Sequence, residues 1–484
     1  MIKVHVKNIR EIDCPCDVLI LTMTEGGRVP YERLGSQVSH LLKRIYGREF
    51  KGTLDEVLLV HAPESIKPER LLLVGLGKKK DYSHENLRRA GGRASGFLRD
   101  KGLKKIAIST EYISSLKSSP AYFLEGFLLG AYTFKKYRSG RQDGMDSLTV
   151  LSQNTRRFKK ELDQVKVVAS SVWFARDLVN TPANDMTPSN LADAARSLRK
   201  NGSLVVKVFD KKDMQKSGMG AYLSVAKGTK EPPKFIIIEY KGAKKSPLVL
   251  IGKSVTFDSG GLSLKPAEGM EKMKYDMAGG AAVLGIMKAS SELKFPVHLV
   301  GLLPATENMP GGSATRPGDI VKASNEKTIE IISTDAEGRM ALVDAITYSR
   351  RYRPQAIIDI ATLTGACSIA LGGEAIAMMG NDPKFMDNIR KAAERTGERV
   401  WEMPLFKEYG EYLKSDIADI KNYGGKNGAL VTSAYFLYDF AGTTPWVHLD
   451  IAGTAWLEKE KPYIPKGASG IGVRLVLDLI KNLK

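Results

Sequence analysis

Cysteine is nearly absent. Only Cys14, Cys16 and Cys367 occur in 484 residues. Three thiols cannot build a disulfide scaffold, and a four-cysteine zinc site is impossible. Long apolar runs are missing too. No stretch approaches the ~18 uninterrupted apolar residues that a membrane span requires, so no membrane partner is expected. The opening MIKVHVKNIREIDC has no apolar h-region. No secretory leader is therefore expected, and the expected compartment is the reducing cytoplasm. There is no internal repeat and no low-complexity tract, which argues against a solenoid and against general disorder.

What is present is a globular composition, 43% hydrophobic and 26% charged. The length suits two large domains or three smaller ones, with ample chain to bury a core. Lys and Arg number 73 against 54 Asp and Glu, a net charge of +19. The excess admits a DNA or other acidic partner, or charges simply spread over a solvated surface. KKK at 78–80 and KKYRSGR at 135–141 are the densest basic clusters.

The pattern along the chain is α/β. DVLILTM (17–23) and RLLLVGLG (70–77) read as buried strands, with helices expected at 85–100 and 121–134. VGLGKKK lacks the third glycine and the helix opening of a dinucleotide loop. The polar SGRQDG stretch marks the expected end of a smaller N-terminal α/β domain, 1–160. A larger second α/β domain, 161–484, is expected to begin with a linking helix at 161–185. Strands are expected at 235–240, 247–252, 297–305, 356–363 and 446–453. Helices are expected at 279–293, 337–352, 386–398 and 429–442. The order predicts a central mixed, mostly parallel sheet flanked by helices. In such sheets ligands bind beyond the carboxyl ends of the strands.

The chemistry-bearing residues gather at those ends. LVLIGKSVTFDSGGLSLKP (248–266) carries Lys253, Asp258 and Lys265. KMKYDMAGGAA (272–282) places Asp276 before a glycine pair that opens a helix. EIISTDAEGRMAL (330–342) carries Asp335, Glu337 and Arg339 where a strand gives way to a helix. Taken singly, Asp335 reads as an N-cap, Glu337 as a favourable charge at a helix start, and Asp258 as a turn former. Arg339 and Lys265 read equally well as surface cations. Lys253 is harder to explain so, because a buried lysine is costly. Four carboxylates brought to one pocket repel unless cations sit between them. An oxygen-rich set free of histidine and cysteine suits Mg²⁺, Mn²⁺ or Zn²⁺.

Taken together, the blocks resemble the leucyl aminopeptidase (cytosol aminopeptidase) family of two-metal peptidases. STDAEGRMAL is similar to its signature NTDAEGRL, and GKSVTFDSGG to its GKG-(I/V)-TFDSGG. DMAGGAA, ENMPGGSATRPGDI, ATLTGA and HLDIAGTAW are similar to further blocks in the same order. ARDLVNTPANDMTP resembles the entry to the catalytic domain and GASGIGVRLV its C-terminal segment. The likeness is specific over about 170–480 and architectural over 1–160.

The resemblance implies two divalent metal ions, Mn²⁺, Zn²⁺ or Mg²⁺. One would be held by Lys253, Asp258, Asp276 and Glu337. The other would be held by Asp258, Asp335 and Glu337. It implies that Arg339 holds a bicarbonate proton shuttle and that Lys265 stabilises the oxyanion formed when a metal-activated water attacks the first peptide bond. Met273, Thr362, Gly365 and Ala452 would line the pocket for the first side chain, with Ala455 nearby. The implied substrates are peptides with leucine or another apolar residue first, and the implied assembly is a homohexamer. Some bacterial members also bind DNA, which is the alternative that the charge supports. Phosphoryl transfer, which metals and carboxylates also serve, is disfavoured by the order of the blocks. Ser254, Ser333 and Met340 depart from the family pattern. Ser254 adds a side chain beside the implied site, which would bear on metal preference or rate.

Overall fold

The computed structural model describes residues 2–483 except 28–29, 100, 140–143, 154 and 202. Most of SGRQDG and the end of the 135–141 cluster thus lie outside the described residues. The chain forms two compact units, Met1–Ser170 with Glu458–Lys466, and Ser171–Leu457 with Gly467–Lys484. Residue 160 falls inside one continuous helix, Thr155–Asn180.

In the first unit six strands follow the order Lys3–Lys7, Ser147–Leu151, Lys105–Ser109, Val18–Glu25, Arg70–Lys78, Val57–His61. Only the last pairing is antiparallel. Alternate residues of a strand face opposite sides, and here both sides are covered. Val18, Ile20, Leu72 and Val74 pack with Leu87, Phe123 and Phe127 of helices His84–Arg99 and Ala121–Gly130. Leu19, Leu21, Leu71 and Leu73 pack with Val38 and Leu42 of helix Ser36–Ile45. That is why these strands read as unbroken apolar runs. Each such buried side chain contributes about 1.5–3 kcal/mol.

The second unit holds a nine-stranded sheet. Its path runs Val400–Glu402, Ile376–Gly380, Trp446–Asp450, Ala356–Ala361, Leu248–Gly252, His298–Asn308, Lys234–Lys241, Leu204–Phe209, with Ser254–Asp258 paired to His298–Asn308. The four central strands of that path are parallel, and the outer pairings are mostly antiparallel. The sheet is therefore mixed and mostly parallel, as the sequence predicts. Val249, Ile251, Ile357 and Trp446 pack with Ile346 and Phe436 of helices Glu337–Ser349 and Ala429–Ala441. Helix Ala278–Glu292 approaches strand Ala356–Ala361 through Gly279, where an added Cβ would stand 1.9 Å from Ile360 O.

The sequence reading misses Lys3–Lys7, Val57–His61, Lys105–Ser109 and Ser147–Leu151 in the first unit, and Leu204–Phe209, Ser254–Asp258, Ile376–Gly380 and Val400–Glu402 in the second. Leu204–Phe209 and Val400–Glu402 are half-exposed, so their apolar signal is diluted by residues such as Lys207 and Glu402. The parallel geometry has a direct consequence. Strands Leu248–Gly252, Ala356–Ala361 and Trp446–Asp450 deliver their carboxyl ends to one edge, where Lys253, Thr362 and Asp450 follow or end them.

Candidate metal centre

Lys253 is the first residue beyond a central strand and is 2% exposed. Its backbone is pinned from both sides: its N–H donates to Ile360 O at 3.0 Å, and its carbonyl accepts from Gly280 N at 2.8 Å. Its Nζ lies 2.8 Å from Asp276 Oδ2 and 2.8 Å from Glu337 Oε1, and donates to Thr362 O at 2.9 Å. The approach to Glu337 depends on Gly338, where an added Cβ would stand 2.5 Å from Lys253 Cε. The glycine in the EGR motif thus makes room for the buried lysine.

Asp258 ends strand Ser254–Asp258. Its Oδ1 accepts from Gly260 N at 2.9 Å and from Asn308 Nδ2 at 2.8 Å, and its Oδ2 meets Lys265 Nζ at 2.8 Å. Lys265 also contacts Asp335 Oδ1 at 2.5 Å. Asn308 donates further to Thr334 O at 3.0 Å, so one amide ties two ligand-bearing segments together. Asp276, in the turn of 3₁₀ helix Met270–Met277, accepts from Thr362 Oγ1 at 2.7 Å.

Carboxylate oxygens of Asp258, Asp335 and Glu337 lie within 4.8 Å of one another. Asp276 joins them through Lys253. The three segments that carry the chemistry in the sequence therefore converge. Four carboxylates face two ammonium groups, so the charges do not balance. Burial pushes Asp258, Asp276 and Asp335 above the usual carboxylate range, and the charge of Glu337 adds to the shift of Asp258 and Asp276. The carboxylates in turn raise Lys253 and Lys265 despite burial. Glu337 Oε2 is buried and makes no hydrogen bond. Negative charge in excess, with a buried oxygen left unsatisfied, fits a divalent cation.

Arg339 lies in the first turn of helix Glu337–Ser349 and is buried. Its Nη1 donates to Asn422 O and its Nη2 to Ser433 Oγ, both at 2.6 Å, while Nε has no partner. Burial lowers it to about 10, still cationic at neutral pH. A cavity of about 410 Å³ adjoins the cluster. Met273, Thr362, Gly365 and Ala452 line it, together with Lys253, Asp258, Lys265, Asp276, Asp335, Glu337 and Arg339. Ala455 is buried and is not among the lining residues. Ser254 turns its hydroxyl to Gly252 O at 2.9 Å and packs against Gly280.

Tyr275 and Tyr423 also line the cavity, while Asn308, Asn422 and Ser433 brace its charged groups. Sequence reasoning singles out none of them. Asn308 was within reach, because it sits in ENMPGGSATRPGDI.

The comparisons with known proteins agree with this geometry. The family model described as the cytosol aminopeptidase family catalytic domain matches residues 173–477, and its N-terminal domain matches 25–141. A probable cytosol aminopeptidase of Geotalea uraniireducens (strain Rf4) is 47% identical over 467 residues, 94% of this chain and 93% of the relative. One of Geobacter sp. (strain M21) is 46% identical, covering 95% of each. Among solved structures, the bottromycin maturation enzyme BotP superposes with a TM-score of 0.87 at 30% identity, covering 96% of this chain and 99% of its own. A second BotP structure, in complex with Mn, superposes equally. The chain belongs to the cytosol aminopeptidase family, and it is a metal-dependent aminopeptidase.

Proposed function

We propose that the enzyme releases leucine and other apolar residues from the amino termini of peptides, using two divalent metals at the carboxylate cluster. The observation that carries this is the convergence of Lys253, Asp258, Asp276, Asp335 and Glu337 on one cavity, with Glu337 Oε2 buried and unmatched. Asp258, Asp276 and Glu337, with the Lys253 amine once it has given up its proton, would hold one ion, and Asp258, Asp335 and Glu337 would hold the other. Mn²⁺, Zn²⁺ and Mg²⁺ all suit these oxygens. Bound there, such ions supply Lewis acidity and lower the pKa of water.

The remaining roles belong to the chain. Lys265, held between Asp258 and Asp335, offers its ammonium group to the developing oxyanion. Arg339, with its free Nε edge, would hold bicarbonate, which would supply the proton shuttle. Met273, Thr362, Gly365 and Ala452 receive the first side chain. The test is hydrolysis of leucine p-nitroanilide by chelator-stripped protein with Mn²⁺, Zn²⁺, Mg²⁺ or Co²⁺ restored singly. Turnover is expected to return with at least one metal. Folded protein that stays inactive with all of them would refute the reading.

Family membership also supports a cytoplasmic homohexamer, which light scattering tests. Among the described residues no helix is long and apolar enough to cross a membrane. The +19 charge and the exposed lysines 78–80 favour DNA binding as an additional role. That role predicts retention on DNA that falls steeply with salt and survives metal removal.

A further inference from the structure

We infer that Asp450 is a positioning residue for substrate selectivity, through the hydrogen bonds by which it locks together the two loops that wall the side-chain pocket. The inference rests on the aminopeptidase reading of that pocket given above.

Strand Trp446–Asp450 lies parallel to Ala356–Ala361, with Asp359 opposite His448 and Ala361 opposite Asp450. Alternation turns Trp446, His448 and Asp450 to the same face. On that face Asp359 is clamped from two sides. Trp446 Nε1 donates to its Oδ2 at 2.7 Å, and His448 Nδ1 meets its Oδ1 at 2.5 Å. Asp359, His448 and Asp450 are all fully buried. Asp450 therefore extends from a rigid row and does not itself line the cavity.

Its carboxylate reaches both walls. One oxygen accepts from Leu363 N at 3.2 Å and from Ala452 N at 3.1 Å. The other accepts from the Thr364 hydroxyl at 2.7 Å. Thr364 caps helix Gly365–Leu371, accepting from Cys367 N at 3.1 Å. The first loop is held at its other side by Thr362, whose hydroxyl bonds Asp276 and whose carbonyl accepts from Lys253. Thr362 and Gly365 come from one loop and Ala452 from the other. One buried carboxylate thus sets the gap between them, and that gap measures the substrate side chain. It touches neither the metal-binding carboxylates nor the reacting bond, so loosening it should change which side chains fit before it changes the chemistry.

The test uses the metal-loaded, full-length enzyme. Asp450→Asn keeps the shape and one acceptor. Should it fail to fold, Thr364→Val exchanges the hydroxyl for a methyl, losing both the bond to Asp450 and the cap on Cys367 N, and Thr364→Ser keeps both. The readouts are kcat and KM for leucine and alanine p-nitroanilide, calorimetric binding of free leucine and alanine, and metal content. Thr364→Val is expected to cut the leucine-over-alanine preference about tenfold, mainly through KM and with a matching loss in leucine affinity, as pocket fit alone discriminates by factors of that order. Thr364→Ser should stay close to wild type, with metal content unchanged throughout. Equal losses on both substrates, loss of metal, or no change would overturn the inference while leaving the aminopeptidase reading intact. Wild-type protein that neither hydrolyses nor binds leucine would overturn both.

Discussion

Lys253 Nζ and Glu337 Oε1 stand 2.8 Å apart, both sealed from solvent, and the other Glu337 oxygen has no hydrogen bond. One side chain therefore serves two purposes, holding the lysine and offering an oxygen to a cation. Glu337→Ala removes both. Breaking a buried ion pair by deleting one partner costs on the order of 3–5 kcal/mol, and Asp276, still 2.8 Å from the same amine, cushions part of that. The expected outcome is a lower melting temperature, reduced metal content and abolished turnover. Near-normal hydrolysis at full metal occupancy would remove Glu337 from the ligand set.

Ser254 shows how a departure from the family pattern is absorbed. A Cβ at Gly280 would stand 2.1 Å from Ser254 Oγ, so the serine occupies space that a helix glycine leaves open. Gly280→Ala is expected to destabilise by about 1–3 kcal/mol through overpacking. Ser254→Gly should relieve most of it, a coupling that a double-mutant cycle in thermal melts reads directly. Additive effects would mean that the two side chains do not compete. Ser254→Gly alone should leave the ranking of metals unchanged, because its hydroxyl is committed to Gly252 O.

Asp344, on the helix that begins with Glu337 but bonded to Tyr222 and Ser324, provides a pH signature outside the carboxylate cluster. Burial raises its carboxyl to about 6, although backbone N–H groups of Tyr222 and Ser324 donate to it at 2.8 and 2.7 Å. A raised folded-state value means that the folded protein holds the proton more tightly than the unfolded chain. The stabilising contribution is then fully present below the ordinary value of 3.8 and is lost as pH rises through about 6. Two pKa units correspond to on the order of 2–3 kcal/mol. The melting temperature of wild type relative to Asp344→Asn should therefore rise as pH is lowered from 7 towards 4. Parallel profiles for the two proteins would show that Asp344 does not titrate in that window.

The sequence makes legible what contiguous motifs carry. Lys253, Asp258, Asp335, Glu337 and Arg339 occur within short blocks at strand ends, and buried strands such as Leu248–Gly252 and Ala356–Ala361 announce themselves as unbroken apolar runs, whereas the short Lys105–Ser109, though buried and parallel, does not. What it hides acts over distance. Asn308 reaches Asp258 across 50 residues and Asn422 reaches Arg339 across 83. Asp450 holds Leu363 and Thr364 from 87 and 86 residues away. These residues do their work through hydrogen bonds that exist only once the strand order is set. A polar residue at a strand end looks the same in sequence whether it braces a site or faces water. The edge strands are hidden for another reason, since half-exposed strands dilute the periodicity that identifies them.

Arg339 tests the proposed proton shuttle. Its guanidinium is fixed at two corners, by Asn422 O and Ser433 Oγ, which leaves Nε as the unpaired edge of a buried cation beside the cavity. A planar cation held in this way suits a planar anion such as bicarbonate. General acid–base assistance contributes factors of about 10²–10⁴, so Arg339→Ala should lower kcat by about that much with little change in KM. Wild-type turnover should fall in bicarbonate-depleted buffer and recover when the ion is restored, while Arg339→Ala should ignore it. Arg339→Lys keeps the charge but loses the fork, and should recover only part of the response. Ser433→Ala frees one corner without removing the cation, so it should weaken the bicarbonate dependence rather than abolish catalysis. If the Arg339→Ala enzyme responded to bicarbonate as wild type does, the anion would have to act elsewhere, and the arginine would be reduced to bracing Asn422 and Ser433 at the cavity wall.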